Sequence, residues 1–246
     1  MPRYFLELAY KGTNYSGFQS QENANTIQSE VEKAFRVLQK TSVAMTGSSR
    51  TDAGVHALQN FFHFDFEETI NPQFIYKMNA ILPSDIVLKS LKEVAPDAHC
   101  RFDALSREYN YYIYRSKDPF MQDRGYYFPY RVDFERLNGA AAILKEYTDF
   151  TSFSKRNTQV KTFQCQLFDS HWTIAGDQLI YTVRANRFLR GMVRALVATM
   201  LKVGTGKLSL DEFRQVIELK DCTKASFASP GHGLFLVKVA FPAPAE

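Results

Sequence analysis

Read by hydropathy and turn chemistry, the chain runs twice through the order strand, helix, strand, strand, helix, strand, and this recurrence constrains the fold more than any other feature. In the first pass, Arg3 to Tyr10 is apolar and aromatic enough for a strand, with Gly12, Asn14 and Gly17 supplying turns after it. From Thr26, the apolar residues Ile27, Val31, Phe35 and Leu38 fall close to the helical period, with Glu30, Glu32, Lys33 and Arg36 between them. Strand-like runs at Val43 to Thr46 and Asn60 to Phe66, a short helix over Pro72 to Leu82 and a strand at Ile86 to Val94 complete the first pass. The second opens with a strand at Arg107 to Arg115 and a helix that Asp133 caps, carrying Phe134, Leu137, Ala141 and Leu144. A strand pair over Lys161 to Ile174 and Gln178 to Arg187 follows, then a helix from Phe188 to Val203 ended by Gly204. An added helix at Leu210 to Leu219 and a last strand at Leu234 to Phe241 close it. The expected architecture is α+β, with two ferredoxin-like, split-βαβ halves spanning 1–104 and 105–246. Their mainly antiparallel sheets are expected to join around a central cleft, because neither half alone covers both faces of its sheet.

A length of 246 residues is ample for a real hydrophobic core. Cys100, Cys165 and Cys222 stand singly, without a CxxC pair, which argues against a disulfide framework and a cysteine-built zinc site and fits a reducing compartment. Glu7 interrupts the first apolar run, and Arg190, Arg194 and Lys202 interrupt the most apolar later one, so neither a signal peptide nor a membrane span is expected. A cytoplasmic protein is the expectation. The net charge of +4 permits a polyanionic partner without demanding one. Its distribution is more informative. Gln178 to Leu210 contains no Asp or Glu but carries Arg184, Arg187, Arg190, Arg194, Lys202 and Lys207. On a helix, Arg187, Arg190 and Arg194 project from one face, beside an apolar face of Met192, Leu196, Thr199 and Val203. A second acid-free stretch, Phe150 to Phe168, holds Lys155, Arg156 and Lys161. Such residues fit either a solvated helix face or a salt-sensitive RNA contact, and arginines inside so apolar a segment need an anionic partner. The 21 Phe, 13 Tyr and one Trp would serve a core, a base-stacking surface or both.

The segment GSSRTDAGVHA, Gly47 to Ala57, sets a single carboxylate, Asp52, among small and turn-forming residues, with Arg50 two positions before it and His56 four after. Small neighbours let a substrate backbone come close. Taken alone, Asp52 and Thr51 also fit a plain turn, and His56 a hydrogen-bonded strand residue. No second carboxylate stands beside Asp52 for a paired-carboxylate glycosidase, and no GxSxG elbow or P-loop occurs. Gly204-Thr205-Gly206 follows a helix, where capping explains it better than phosphate cradling.

The run GSSRTDAGVHA closely resembles the catalytic motif of the tRNA pseudouridine synthase A family. YKGTNYSGFQSQ, TIQSEVEKAF, NAILPSDI, AHCRFDALSREYNYYIY, DFTSF, NRFLRGMVR and ASPGHGLFLVKVAF fall in that family's order and spacing over nearly the whole chain. The resemblance implies the pseudouridine synthase fold and isomerisation of uridine to pseudouridine at positions 38–40 of the tRNA anticodon stem-loop, by a homodimer without a cofactor. It implies that Asp52 is the essential aspartate and Arg194 the basic residue paired with it. Tyr109 takes the place of the tyrosine that stacks on the target base, and Arg50 that of the arginine assisting base flipping. Arg187 and Arg190 join them as expected RNA contacts. The sequence departs from the family pattern at Lys11, Phe18, Ser48 and Ser49, where the family usually has Asp, Trp, Ala and Gly.

The chemistry agrees with this assignment. The reaction breaks the bond from N1 to C1′, turns the uracil and reattaches it through C5, with no redox change and no outside reagent. A carboxylate serves at C1′ covalently or electrostatically, or as a base on the sugar, and a nearby guanidinium such as Arg194 favours its ionised form. A base within a stem has to be extruded and received by a stacking ring, which suits Tyr109, while Arg50 fills the vacated space. Tyr111, Tyr112 and Tyr114 are expected in the core or on the sheet face. The competing readings are a sister synthase with another RNA target, a non-catalytic RNA-binding module and a hydrolase with Asp52 as nucleophile. The last two lack supporting features, namely an RNP1 pattern and a companion base or metal site.

Overall fold

Alternation places Leu6, Leu8 and Tyr10 on one buried face of the first strand, β1 (Arg3–Tyr10), in the computed structural model, which describes residues 1–156 and 160–242. The chain divides into two compact units, Met1–Leu105 with Leu236–Glu246, and Ser106–Phe235. In the first unit β1 is followed by α1 (Ile27–Gln39), β2 (Thr46–Gly47), β3 (His56–Asp65), α2 (Phe74–Ile81) and β4 (Ile86–Val94). β1 pairs antiparallel with both β3 and β4, setting Arg3 opposite Asp65 on one side and Val94 on the other.

Thr26 starts α1 because its side chain accepts from the Ser29 N–H while the Ser29 hydroxyl oxygen accepts from the Thr26 N–H. The helix buries Ile27, Val31, Ala34 and Phe35. Phe35 then meets Phe64, Phe66 and Phe74 edge-on, with ring centroids 5.3, 5.3 and 5.8 Å away. Much of the aromatic load is therefore core. The strand expected at Val43 to Thr46 shrinks to Thr46–Gly47. Side chains of α1 satisfy the Met45 backbone instead of a ladder: its N–H donates to Glu32 and its carbonyl accepts from Gln28.

The second unit carries β5 (Ser106–Tyr114), β6 (Tyr126–Tyr127), α3 (Phe134–Ile143), β7 (Leu167–Ala175), β8 (Gln178–Ala185), α4 (Met192–Gly204) and α5 (Leu210–Glu218). β8 lies antiparallel between β5 and β7, and β6 runs parallel to β5. Asp133 caps α3 as expected, accepting from the Arg136 N–H at 3.1 Å. The strand expected from Lys161 begins only at Leu167, because the preceding backbone bonds elsewhere: Phe163 O accepts from Phe150 N–H, and Cys165 N–H donates to Thr148 O.

The fourth helix differs most from expectation. It begins at Met192 rather than Phe188, because Gly191 is left-handed at φ +74° and cannot be a helical residue. Arg187 and Arg190 thus lie in the connection before the helix and share no helical face with Arg194. The apolar side chains behave as expected, with Met192, Leu196, Thr199 and Val203 all buried. Gly204 is the last helical residue, and the left-handed position after it falls at Gly206, also φ +74°. The final strand, β9 (Leu234–Ala240), belongs from Leu236 onward to the first unit rather than to the second. There Val239 N–H donates to the Gln59 side chain, and Phe241 packs edge-on to Phe61. Among the described residues no helix is long and apolar enough to cross a membrane.

Two outcomes follow for stability. Gly191→Ala forces a side chain into a left-handed position and to within 3.1 Å of the Lys155 stem, so it should cost about 1–2 kcal/mol, read as a lower melting temperature. His63 lies on β3 with Nδ1 3.2 Å from the Cys100 sulfur, and burial, then the charges of His99 and Arg3, lower its pKa from 6.5 to about 4. The unfolded chain therefore binds this proton more readily, and stability should fall as pH drops from 6.5 towards 4. Urea titrations of wild type and His63→Gln should show the variant losing less stability across that window.

Candidate active site

Asp52 sits half-buried in the loop between β2 and β3, and the loop is fixed by a chain of buried polar contacts. The Tyr10 hydroxyl lies 2.8 Å from the Thr51 hydroxyl, and the Asn60 amide donates to Tyr10 Oη at 3.3 Å and to the Ser49 carbonyl at 2.9 Å. Asn60 is fully buried, and its carbonyl oxygen also accepts from the Ser48 hydroxyl and the Phe61 N–H. Backbone bonds reinforce this hold. Thr51 O accepts from Phe18 N–H, Ser48 N–H donates to Phe61 O, and Val55 N–H closes a turn onto Asp52 O. His56 Nδ1 accepts from Gly12 N–H at 3.0 Å, where a side chain on Gly12 would run into the Val55 carbonyl. Ser48, Ser49 and Thr51 therefore face inward and are bonded, while Asp52 and Ala53 at the turn stay accessible.

Three departures from the family pattern find their places here. Ser48 and Ser49 join the Asn60 network, their hydroxyls 3.2 Å apart. Phe18 packs against Gly47 and stacks on Phe62 with centroids 4.7 Å apart, flooring the loop. Arg50 is exposed along much of its length, yet protein around its guanidinium, and then the nearby positive charge of Arg101, lower its pKa.

In the second unit Tyr109 stands on β5 opposite Val183 of β8, largely buried. The Phe188 ring meets it edge-on, with centroids 5.0 Å apart and planes at 85°. Phe188 lies in the same connection as Arg187, which acts electrostatically on Cys165, and Arg190, whose carbonyl accepts from Lys155 N–H. Arg194, in the first turn of α4, donates from Nε to the Ser229 carbonyl at 2.8 Å. The next residue, Pro230, accepts from the Tyr111 hydroxyl at 2.8 Å, and Gly233 leaves room for the Tyr111 ring. Tyr111 thus anchors the Ser229–Gly233 segment that orients Arg194. As expected, Tyr111 and Tyr114 are core residues, and Tyr112 packs edge-on to Phe235.

The first unit therefore gathers Arg50 and Asp52 on one pinned loop, and the second gathers Tyr109, Arg187, Arg190 and Arg194 around one connection and the helix after it. Sequence reasoning did not single out Tyr10, Asn60, Phe188 or Ser229. A polar Asn inside the otherwise apolar run NFFHF was the available signal for Asn60, since a buried amide has to be bonded to something. Asn60→Ala should remove the amide that bonds the Ser49 carbonyl and the Tyr10 hydroxyl and cost about 1–3 kcal/mol in urea unfolding. Tyr10→Phe, which keeps the ring and removes only the hydroxyl, should reduce turnover more than it reduces stability.

Comparison with known proteins bears on this arrangement. The profile of the family described as tRNA pseudouridine synthase matches residues 8–103 and 140–242, which include Asp52, Arg187, Arg190 and Arg194; Tyr109 lies between the two matched segments. The chain is 49% identical over 244 residues to tRNA pseudouridine synthase A of Parabacteroides distasonis, covering 98% of this chain and 97% of that protein. It is 44% identical over 247 residues to tRNA pseudouridine synthase A of Porphyromonas gingivalis, covering 98% of each. It is 37% identical over 240 residues to the Staphylococcus aureus protein of that name, covering 96% of this chain and 90% of that one. With a family profile and relatives of this similarity spanning both units, the chain belongs to the tRNA pseudouridine synthase family, isomerases that act on tRNA.

Proposed function

We propose that this isomerase converts uridine to pseudouridine at positions 38–40 of the tRNA anticodon stem-loop, with Asp52 acting on the extruded nucleotide. The observation that carries the reading is the polar network around Asp52: Thr51, Ser49 and Ser48 are held from below, so the carboxylate is presented on a turn that substrate can approach. Preorganisation of this kind suits a group that has to meet one ribose carbon.

In this reading the target base leaves its stack and is received by the Tyr109 ring, which Phe188 holds upright. Extrusion costs a few kcal/mol, offset by stacking and by phosphate contacts from Arg187 and Arg190. Asp52 acts at C1′ or on the sugar while the bond to N1 breaks; the uracil turns and C5 bonds to C1′. The proton on C5 is then released, a step assigned to assistance from Tyr109. Arg194, its guanidinium oriented by the Ser229 carbonyl, supplies the counter-charge for Asp52, and Arg50 occupies the space that the base vacates. Every atom of the product comes from the substrate apart from exchanged protons, so these residues need only position, polarise and accept charge. A homodimer working in the cytoplasm is part of the same proposal.

Tritium release from tRNA labelled at uridine C5 tests it. Wild type should release tritium, whereas Asp52→Asn should bind tRNA within about threefold of wild type and release none. Wild type that releases no tritium from unmodified tRNA would refute the reading. Arg194→Ala should lower kcat by about 100-fold or more, since it removes a charge that acts during turnover. Normal turnover in that variant would remove Arg194 from the mechanism.

A further inference from the structure

Beside the Asp52 loop, in the same unit, residues 99–103 form a tight turn that the mechanism above does not use. His99 Nδ1 accepts from the backbone N–H groups of Arg101 at 3.1 Å and Phe102 at 3.3 Å, and His99 N–H donates to the Asp103 carboxylate at 2.6 Å. Cys100 is fully buried and its thiol donates to the Thr46 carbonyl at 3.2 Å. That bond ties the turn to β2, the short strand leading directly into Gly47 and Arg50. The turn is a rigid mount; its exposed side chains are Arg101, Phe102 and Asp103, the carboxylate of the last being held by the His99 N–H.

Phe102 is 75% exposed, a large ring left open on a surface turn. Its centroid lies 4.2 Å from that of His99 at an interplanar angle of 34°, and the Arg101 guanidinium carbon lies 5.8 Å from it. An imidazole, a phenyl ring and a guanidinium thus group together beside Arg50. Burial, and then the positive charge of Arg101, lower the Arg50 pKa. An anion near the Arg101 guanidinium would offset that repulsion. An open aromatic face next to a guanidinium matches the chemistry of an unpaired nucleotide, whose base stacks and whose phosphate is negative.

We propose that the His99–Phe102 turn is a second nucleotide subsite: an unpaired base of the RNA substrate stacks on the open face of Phe102, and its phosphate lies against Arg101 next to Arg50. The inference rests on the proposed action on tRNA and adds to it the residues that hold the strand outside the reacting nucleotide. Arg101 and Phe102 are binding residues here, and neither touches the reacting atoms.

The test compares wild type, Phe102→Ala, Phe102→Tyr and Arg101→Ala, measuring tRNA affinity over a series of salt concentrations and tritium release over a series of tRNA concentrations. Phe102→Ala should raise Kd and KM roughly tenfold, with kcat within about twofold of wild type. Phe102→Tyr should restore both constants, because it keeps the ring. Arg101→Ala should weaken binding to a similar degree and reduce the slope of log affinity against log salt by about one. Exposed side chains should leave melting temperatures unchanged. A Phe102→Ala variant with wild-type Kd and KM, or an Arg101→Ala variant with an unchanged salt slope, overturns the subsite while wild-type turnover keeps the tRNA reading intact. Wild type that neither binds nor modifies tRNA overturns both.

Discussion

The loop on which the first unit presents Asp52 depends on one buried amide. Asn60 is placed in the core by β3, where an unbonded polar side chain would be costly, and it spends its hydrogen bonds on the loop that carries Asp52. The Tyr10 hydroxyl extends the chain to Thr51, so β1 and β3 grip the residue immediately before the carboxylate. A short loop of small residues would otherwise sample many conformations. Satisfying its backbone from beneath removes that freedom without covering the top, which is where a ribose has to fit.

The second unit solves the same problem with a left-handed glycine and a buried tyrosine. Gly191 ends one chain direction and begins α4, so Arg194 emerges in the first turn of a helix whose remaining side chains are almost wholly buried. The Ser229 carbonyl then fixes the guanidinium, and Tyr111 fixes the segment that supplies this carbonyl. Reactive side chains at the rim thus inherit rigidity from core residues that never meet the substrate. The His99–Phe102 turn follows the same rule, with buried Cys100 as its anchor.

Much of this was legible in the amino-acid order. Strand β4 lies at the expected Ile86 to Val94, and Thr26 and Asp133 cap their helices, because hydropathy period and capping chemistry act over only a few residues. That Asp52 sits on a turn was legible through the small residues around it. The grouping of Arg187, Arg190 and Arg194 on one helical face was not, since a 3.6-residue count cannot register the positive φ of Gly191. Nor could periodicity show that Met45 bonds to α1 side chains instead of a ladder, or that Asn60 and Tyr10 meet across two strands 50 residues apart in sequence.

By itself, then, the sequence determined the kinds and order of the elements, the family and the identities of the chemical groups, because each is written in local pattern or in motif. The tertiary structure alone decided which groups are pinned and which left open: Thr51 bonded inward beside a half-buried Asp52, Arg194 held by a carbonyl 35 residues away, and Phe102 exposed on a turn that buried Cys100 anchors. The physical reason is that a hydrogen bond or a ring contact depends on distance in space. Strand register and packing bring together residues that chain order keeps far apart.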